Sequence, residues 1–233
     1  MSGNLIDLNG KNIIIIDDMI STGNTLIEAI KNLKKLGWAP KKKESVNNSL
    51  LRPLCIAFLS FIEDKNVVKQ CLEKINTKLH PDIMSPVYSS VAEYGNNKAY
   101  QKLIKKHEKT HNIEEKIKLL ASLYKSVDIK NLKKSLSYAL SNKVRTQDLR
   151  TVFSIIGQNP EFRPLFFKWI KSNWPKLEKY RKTHFVFMGL LETLITLYTD
   201  PKTLKEISLF LKSKKVKYKK TKANSFEISN MNH

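Results

Sequence analysis

The chain has 233 residues, of which 41% are hydrophobic, and its 42 basic and 21 acidic residues give a formal net charge of +21. This length allows one sizeable core, or one domain with an appended piece. No apolar run reaches the roughly 18 residues of a membrane span, and the first residues lack a signal-peptide pattern. The composition therefore predicts a soluble cytoplasmic protein.

The positive charge first suggests a nucleic-acid partner. Lysine carries nearly all of it, however, and the few arginines are Arg52, Arg145, Arg150, Arg163 and Arg181. Proteins that read grooves and phosphates favour the bidentate arginine fork. We therefore predict that nucleic acid is not the partner, and that the dense lysines of residues 212–222 belong to a solvated tail.

The most specific local pattern lies in the first 38 residues. Residues 13–16 are all isoleucine, which is typical of a short strand in a parallel sheet. Asp17 and Asp18 follow, and the loop 21–25, Ser-Thr-Gly-Asn-Thr, leads into helical spacing that ends at Gly37. Free backbone N–H groups and the helix dipole at such a turn suit a phosphate. The two carboxylates suit ribose hydroxyls or a hydrated Mg²⁺.

Residues 12–25 resemble the phosphoribosyl-pyrophosphate motif of type I phosphoribosyltransferases and, more closely, of ribose-phosphate pyrophosphokinases. The resemblance implies that Asp17 and Asp18 contact a ribose, and that its 5′-phosphate is held by Ser21, Thr22, Gly23, Asn24 and Thr25. Asn24 stands where a second glycine is common. A single βα unit cannot cover its own sheet edges. We therefore interpret residues 1–38 as a partial motif of doubtful catalytic competence, which binds a phosphorylated ribose weakly or not at all.

From residue 49 onward, apolar residues recur at helical steps of three and four. The segments are 50–62, 67–79, 87–94, 100–104, 117–124, 132–140, 149–156, 165–174, 185–197 and 204–211. Caps are expected at residues 146–148 and 200–201. The predicted fold is mainly α, a HEAT- or armadillo-like α-solenoid of antiparallel helix pairs with a short N-terminal β-hairpin and βα fragment. The predicted domains are the partial motif 1–38, a linker 39–48, the helical region 49–214 and a basic, polar tail 215–233.

Three helical segments, 80–88, 144–149 and 159–177, are more individual than a generic repeat. With the opening helix at Leu50-Leu51-Arg52, their order resembles the C-terminal helical domain of gluzincin zinc aminopeptidases over residues 45–214. The resemblance implies a concave helical domain that closes over a separate catalytic domain, helps to shape a peptide chamber and holds no zinc itself. Arg145 and Arg163 are then candidates for pairing with a peptide carboxylate. A bridging role for Arg145 between helices is the alternative.

Residues His107, Glu108 and His111 spell His-Glu-x-x-His, the signature of zinc peptidases. A zinc site needs both histidines one turn apart on a continuous helix, together with a third ligand. Asn112 is expected to cap the next helix, which places His111 at or beyond the end of its own. The gluzincin pattern has its third ligand, a glutamate, where this chain has Lys130. We interpret the match as coincidental.

The resulting hypothesis is a non-catalytic helical domain that acts in peptide binding or protein interaction, with a peptide or a separate aminopeptidase catalytic domain as partner. Zinc would belong to that separate domain. The alternative is a ribose-phosphate pyrophosphokinase or phosphoribosyltransferase centred on Asp17, Asp18 and the loop 21–25, with Mg²⁺ as its cofactor.

Overall fold

The computed structural model describes the backbone of residues 6–8, 11–13, 24–159, 162–216, 219–220 and 226–227. Side chains are described within residues 27–159, at residue 162 and within residues 165–216. The chain divides into two compact units, residues 1–122 and 123–233. Each unit has its own set of packed helices.

The first unit opens with a hairpin of two short antiparallel strands. Strand β1 (Ile6–Leu8) pairs with β2 (Lys11–Ile13), with Ile6 opposite Ile13. The helices follow as α1 (Asn24–Leu36), α2 (Val46–Phe61), α3 (Lys65–Lys74), α4 (Pro81–Tyr94), α5 (Asn97–Lys109) and α6 (Ile113–Leu123). The hairpin is confirmed. Ile13 pairs with Ile6 in this hairpin, and residues 14–16 lie outside the described residues, so the expectation of a strand in a parallel sheet stays a prediction.

Side-chain caps begin several helices of this unit. Asp64, Asn96 and Asn112 each accept a hydrogen bond from a backbone N–H three residues further on, at 2.9, 3.0 and 2.9 Å. These bonds satisfy donors that a helix start leaves without an intrahelical partner. The polar breaks in the sequence therefore mark helix starts as well as connections, as Pro81 at the first position of α4 illustrates.

Helix α2 is central to the first unit, because it packs against α1, α3 and α4. Fully buried apolar residues from these and the later helices form the core, among them Ile56, Leu59, Cys71, Val87, Val91, Tyr100 and Leu103. Both cysteines, Cys55 and Cys71, are buried free thiols.

A buried arginine fixes the segment between α1 and α2. Gly37 ends α1 in a left-handed conformation with φ of 72°, as glycine allows. Arg52, fully buried in α2, donates from Nε to the carbonyl oxygen of Gly37 at 2.9 Å and from Nη2 to Oε1 of Glu44 at 2.5 Å. Helix α1 is thereby tied to the helical body across the predicted boundary at residue 38; the domain boundaries themselves stay a prediction.

The second unit contains α7 (Ile129–Ala139), α8 (Leu149–Gln158), α9 (Arg163–Glu178), α10 (His184–Thr196) and α11 (Pro201–Ser213). Short 3-10 turns precede α8 and follow α9, at Thr146–Asp148 and Lys179–Lys182. Two-residue strands β3 (Lys219–Lys220) and β4 (Phe226–Glu227) pair antiparallel within the predicted tail.

Helices α8 and α10 lie side by side in parallel. Arg150, early in α8, lies against Gly189, and Gly157, late in α8, lies against Thr193. The small residues allow the close approach, since a Cβ at Gly189 would lie 2.4 Å from Cγ of Arg150. A cluster of aromatic side chains packs between the helices that follow, where the Trp174 ring lies 5.1 Å from that of Phe210 and 6.1 Å from that of Phe187.

The predicted mainly α class is confirmed, and each predicted helical segment overlaps a helix of the structure. One cap is wrong, because Asp148 makes no capping bond to α8 and instead binds Arg145. The cap at Asp200 is confirmed, since its Oδ1 accepts from the backbone N–H of Thr203 at 2.7 Å. The arrangement of the helices as a solenoid stays a prediction. In the described part of the chain, no helix is both long and apolar enough to cross a membrane.

Candidate functional site

The predicted ribose and phosphate residues fall mostly outside the described part of the chain. The structure does not describe Asp17, Asp18, Ser21, Thr22 or Gly23, so their role stays a prediction. Asn24 and Thr25 form the first two residues of α1, as expected for a loop that opens a helix.

The two histidines of the His-Glu-x-x-His match lie in different surroundings. His107 belongs to α5 and is 1% exposed, whereas α5 ends at Lys109 and His111 is exposed beyond it. Asn112 caps α6, as predicted. The two imidazoles are therefore not one turn apart on a continuous helix. Among the described residues, no group of three or more His, Cys, Asp and Glu side chains is placed to hold a metal ion.

Of the two arginines predicted to bind a peptide, Arg145 already has a carboxylate partner. Its Nε and Nη2 donate to the two carboxylate oxygens of Asp148, at 2.7 and 2.9 Å. This is the bidentate geometry that would otherwise suit a peptide terminus, and hydrogen bonding to Asp148 raises the pKa of the guanidinium. Arg145 holds the turn before α8. The side chain of Arg163 lies outside the described residues, and its role stays a prediction.

A groove in the first unit gathers positive charge. Its volume is about 530 Å³, and it is lined by the lysine side chains of α5 together with Ile75, Asn76, Thr110 and Glu115. The lysines are Lys102, Lys105, Lys106 and Lys109. We call this feature the lysine groove. The lining residues carry four ammonium groups and a single carboxylate, so the groove suits an anion.

The single carboxylate of the groove is itself engaged. Oε1 of Glu115 accepts from the Tyr88 hydroxyl at 2.6 Å, Oε2 accepts from the Thr110 hydroxyl at 2.8 Å, and Nζ of Lys106 lies 3.4 Å from Oε1. Burial is the largest influence on Glu115 and raises its pKa, but these three donors together bring that pKa below the ordinary value. Glu115 thus stays charged and occupied by its neighbours.

The other ammonium groups of the lysine groove have weaker attachments. Lys102 donates to the amide oxygen of Asn76 at 2.9 Å, which leaves two of its three N–H donors for other acceptors. Lys105 and Lys109 are exposed. A carboxylate or a phosphate in the groove would meet several donors at once, each in competition with water.

Sequence reasoning missed the lysine groove, although a signal was present. The four lysines lie at positions i, i+3, i+4 and i+7, the spacing of one helix face. Lysines are so common in this chain that this spacing alone does not distinguish a binding surface from an ordinary solvated helix face. The contributions of Ile75 and Glu115 come from other elements and have no local pattern.

Short packed helices with buried apolar faces define an all-α domain, and its described residues contain no cluster of side chains placed to hold a metal ion. Its family follows from comparison with known proteins. The sequence model of the ERAP1-like C-terminal domain matches residues 23–228, and the chain belongs to that family. A phosphoribosyl transferase domain model also matches residues 2–42. Both predicted resemblances are confirmed.

Among the relatives is Aminopeptidase M1-C of Oryza sativa subsp. japonica, 30% identical over 206 residues, which make up 83% of this chain and 23% of that protein. Aminopeptidase N of Lactobacillus delbrueckii subsp. lactis is 28% identical over 201 residues, or 73% of this chain and 24% of that protein. Aminopeptidase 2, mitochondrial, of Saccharomyces cerevisiae is 26% identical over 190 residues, which make up 78% of this chain and 20% of that protein. The chain therefore spans about a quarter or less of the length of these relatives.

Proposed function

We propose that the chain is a non-catalytic helical domain of the aminopeptidase type, which binds peptides and holds no zinc of its own. The lysine groove carries the proposal, because it is a concave surface whose charge suits the carboxylate that every unmodified peptide has at its C-terminus. Membership in the ERAP1-like C-terminal domain family supports the peptide as ligand, since the relatives are named aminopeptidases.

Peptide affinity in the lysine groove depends on ion pairs with the terminal carboxylate and on contacts along the rest of the peptide. The exposed ammonium groups of Lys105 and Lys109 attract a carboxylate. Each exposed ion pair contributes only about 0.2–1 kcal/mol. Affinity from the groove alone is then modest, and contacts along the peptide must add to it.

Fluorescence anisotropy with labelled peptides of increasing length tests the proposal, with each peptide made as the free acid and as the C-terminal amide. We expect the free acid to bind more tightly, and the double variant Lys105→Gln/Lys109→Gln to weaken it about fivefold. The double variant Lys130→Gln/Lys133→Gln is the matched control, because it removes the same charge from exposed positions of α7. Equal binding of acid and amide, or equal loss in both variants, contradicts the proposed site.

A second candidate function is phosphoribosyl transfer or pyrophosphoryl transfer, which the match over residues 2–42 favours. It requires Mg²⁺-dependent binding of phosphoribosyl pyrophosphate or ribose 5-phosphate. Isothermal titration with and without Mg²⁺, on the natural chain and on Asp17→Ala, checks this. Binding that needs both the metal and Asp17 supports this function, and no binding removes it.

A further inference from the structure

The outward side of α2 is apolar along its whole length. Six residues of this helix are exposed, and all but Asn47 are apolar. The four large ones are Val46, Leu50, Leu54 and Phe61, at 74, 62, 65 and 53% exposure. Together with Ala57 they form the α2 stripe, at steps of four, four, three and four residues. This spacing places them on one helix face.

The α2 stripe differs from other exposed helix faces of this lysine-rich chain, because it contains no lysine. Helix α7 exposes Lys130, Lys133 and Lys134, as a solvated helix does. Helix α2 contains no lysine, and its one charged residue, Arg52, is fully buried. A helix that is apolar on all sides is typical of one covered on all sides. Here α1, α3 and α4 pack on α2, while the α2 stripe remains exposed.

Charges beside the stripe indicate what covers it. Exposed Lys41, Lys42 and Lys43 lie just before α2. After α2 the charge is mixed, because exposed Glu63 and half-buried Asp64 precede exposed Lys65. A second copy of the chain would bring the same lysines and another net charge of +21 against them. A helix with an apolar face and acidic flanks complements the stripe and the three lysines at its N-terminal end.

We propose that the α2 stripe docks an amphipathic helix of another polypeptide, apolar along one face and flanked by acidic residues. The relatives have about three quarters or more of their length outside the matched region, so a helix from that part of an aminopeptidase is a natural source. This docking surface goes beyond peptide binding in the lysine groove and does not depend on it.

The probe is a synthetic helical peptide with leucines at three- and four-residue steps and glutamates beside them. Two further peptides serve as references, one with lysines in place of the glutamates and one with the glutamate peptide's sequence scrambled. Anisotropy with the full chain should rank the glutamate peptide first. Hydrogen exchange should show protection of residues 46–61 when it binds. The double variant Leu50→Gln/Leu54→Gln should weaken binding at least about tenfold.

Exposed apolar residues of two other helices, α6 and α11, provide the matched control. Ile113 and Leu209 are each 60% exposed, and Ile113→Gln/Leu209→Gln should leave the affinity unchanged. Circular dichroism melting establishes that both double variants fold. Equal affinity for all three peptides, or no protection of residues 46–61, overturns the proposal.

Two other occupants have distinct signatures. Light scattering that finds a dimer of the natural chain, and a monomer of Leu50→Gln/Leu54→Gln, would assign the stripe to a second copy and overturn the proposal. Cosedimentation with phosphatidylserine–phosphatidylcholine vesicles, lost in the same variant and without binding of the glutamate peptide, would assign it to a membrane surface and also overturn it.

Discussion

Arg52 is the residue whose replacement should affect the first unit most. In Arg52→Met, the carboxylate of Glu44, whose side chain is 5% exposed, loses its cationic partner, and the carbonyl of Gly37 loses its side-chain donor. Breaking one side of a buried ion pair costs about 3–5 kcal/mol, because the remaining charge stays buried without compensation. We expect a loss of that size in the free energy of unfolding, measured by urea denaturation with far-ultraviolet circular dichroism.

Two companion variants separate charge from shape. Adding Glu44→Gln to Arg52→Met removes the uncompensated charge and should recover about 1–2 kcal/mol. Arg52→Lys keeps the charge but lacks the fork that reaches Gly37 and Glu44 together, so its loss should be intermediate. Hydrogen exchange should report faster opening of α1 and α2 in Arg52→Met. A loss below about 1 kcal/mol, the size expected of a surface pair, would refute the reasoning.

Further predictions concern packing, protonation and zinc. Gly189→Ala should lower the free energy of unfolding in urea by up to about 2 kcal/mol, because its Cβ would lie 2.4 Å from Cγ of Arg150. The overpacking cost of about 1–3 kcal/mol is only partly offset by a helix gain of about 1 kcal/mol. The pKa of Glu115 is lowered in the folded protein, so its stabilisation is present above the ordinary value of about 4.3 and is lost as pH falls through the folded pKa. Melting of the natural chain should therefore depend more steeply on acid pH than that of Glu115→Gln. Burial, with the bond to Glu115, raises the pKa of Tyr88, so its stabilisation is present below about pH 10 and declines at higher pH; melting of Tyr88→Phe should decline less there. His111→Ala should change neither the zinc content after reconstitution nor the melting temperature, and stoichiometric zinc that this variant loses would contradict our interpretation of the motif.

Local periodicity predicted the helices well, because burial of one face sets the spacing of apolar residues. Segments such as 149–156 and 204–211 fall inside α8 and α11. The end of α5 was equally predictable, since Asn112 has the chemistry of a cap and its Oδ1 accepts from the backbone N–H of Glu115. These features depend on interactions within a few residues along the chain.

Features that depend on distant partners were not predictable in the same way. The sequence predicted Asp148 as a helix cap, but its carboxylate accepts two hydrogen bonds from Arg145 and none from the backbone of α8. The lysine groove requires Ile75 and Glu115 beside α5, and neither belongs to a recognisable pattern with the lysines. Because lysine is common throughout the chain, the spacing of the four groove lysines does not stand out in the sequence.

Gly37 has a consequence for shortened versions of the chain. The two family matches share residues 23–42, so Gly37 and the whole of α1 fall within both. A chain that starts after Gly37 would remove the buried side chains of Leu33 and Leu36 together with the oxygen that receives the Nε proton of Arg52. One that starts at Gly23 would retain all three. A truncated protein that keeps the helical domain intact should therefore begin before α1. That boundary lies within the segment that matches the phosphoribosyl transferase model.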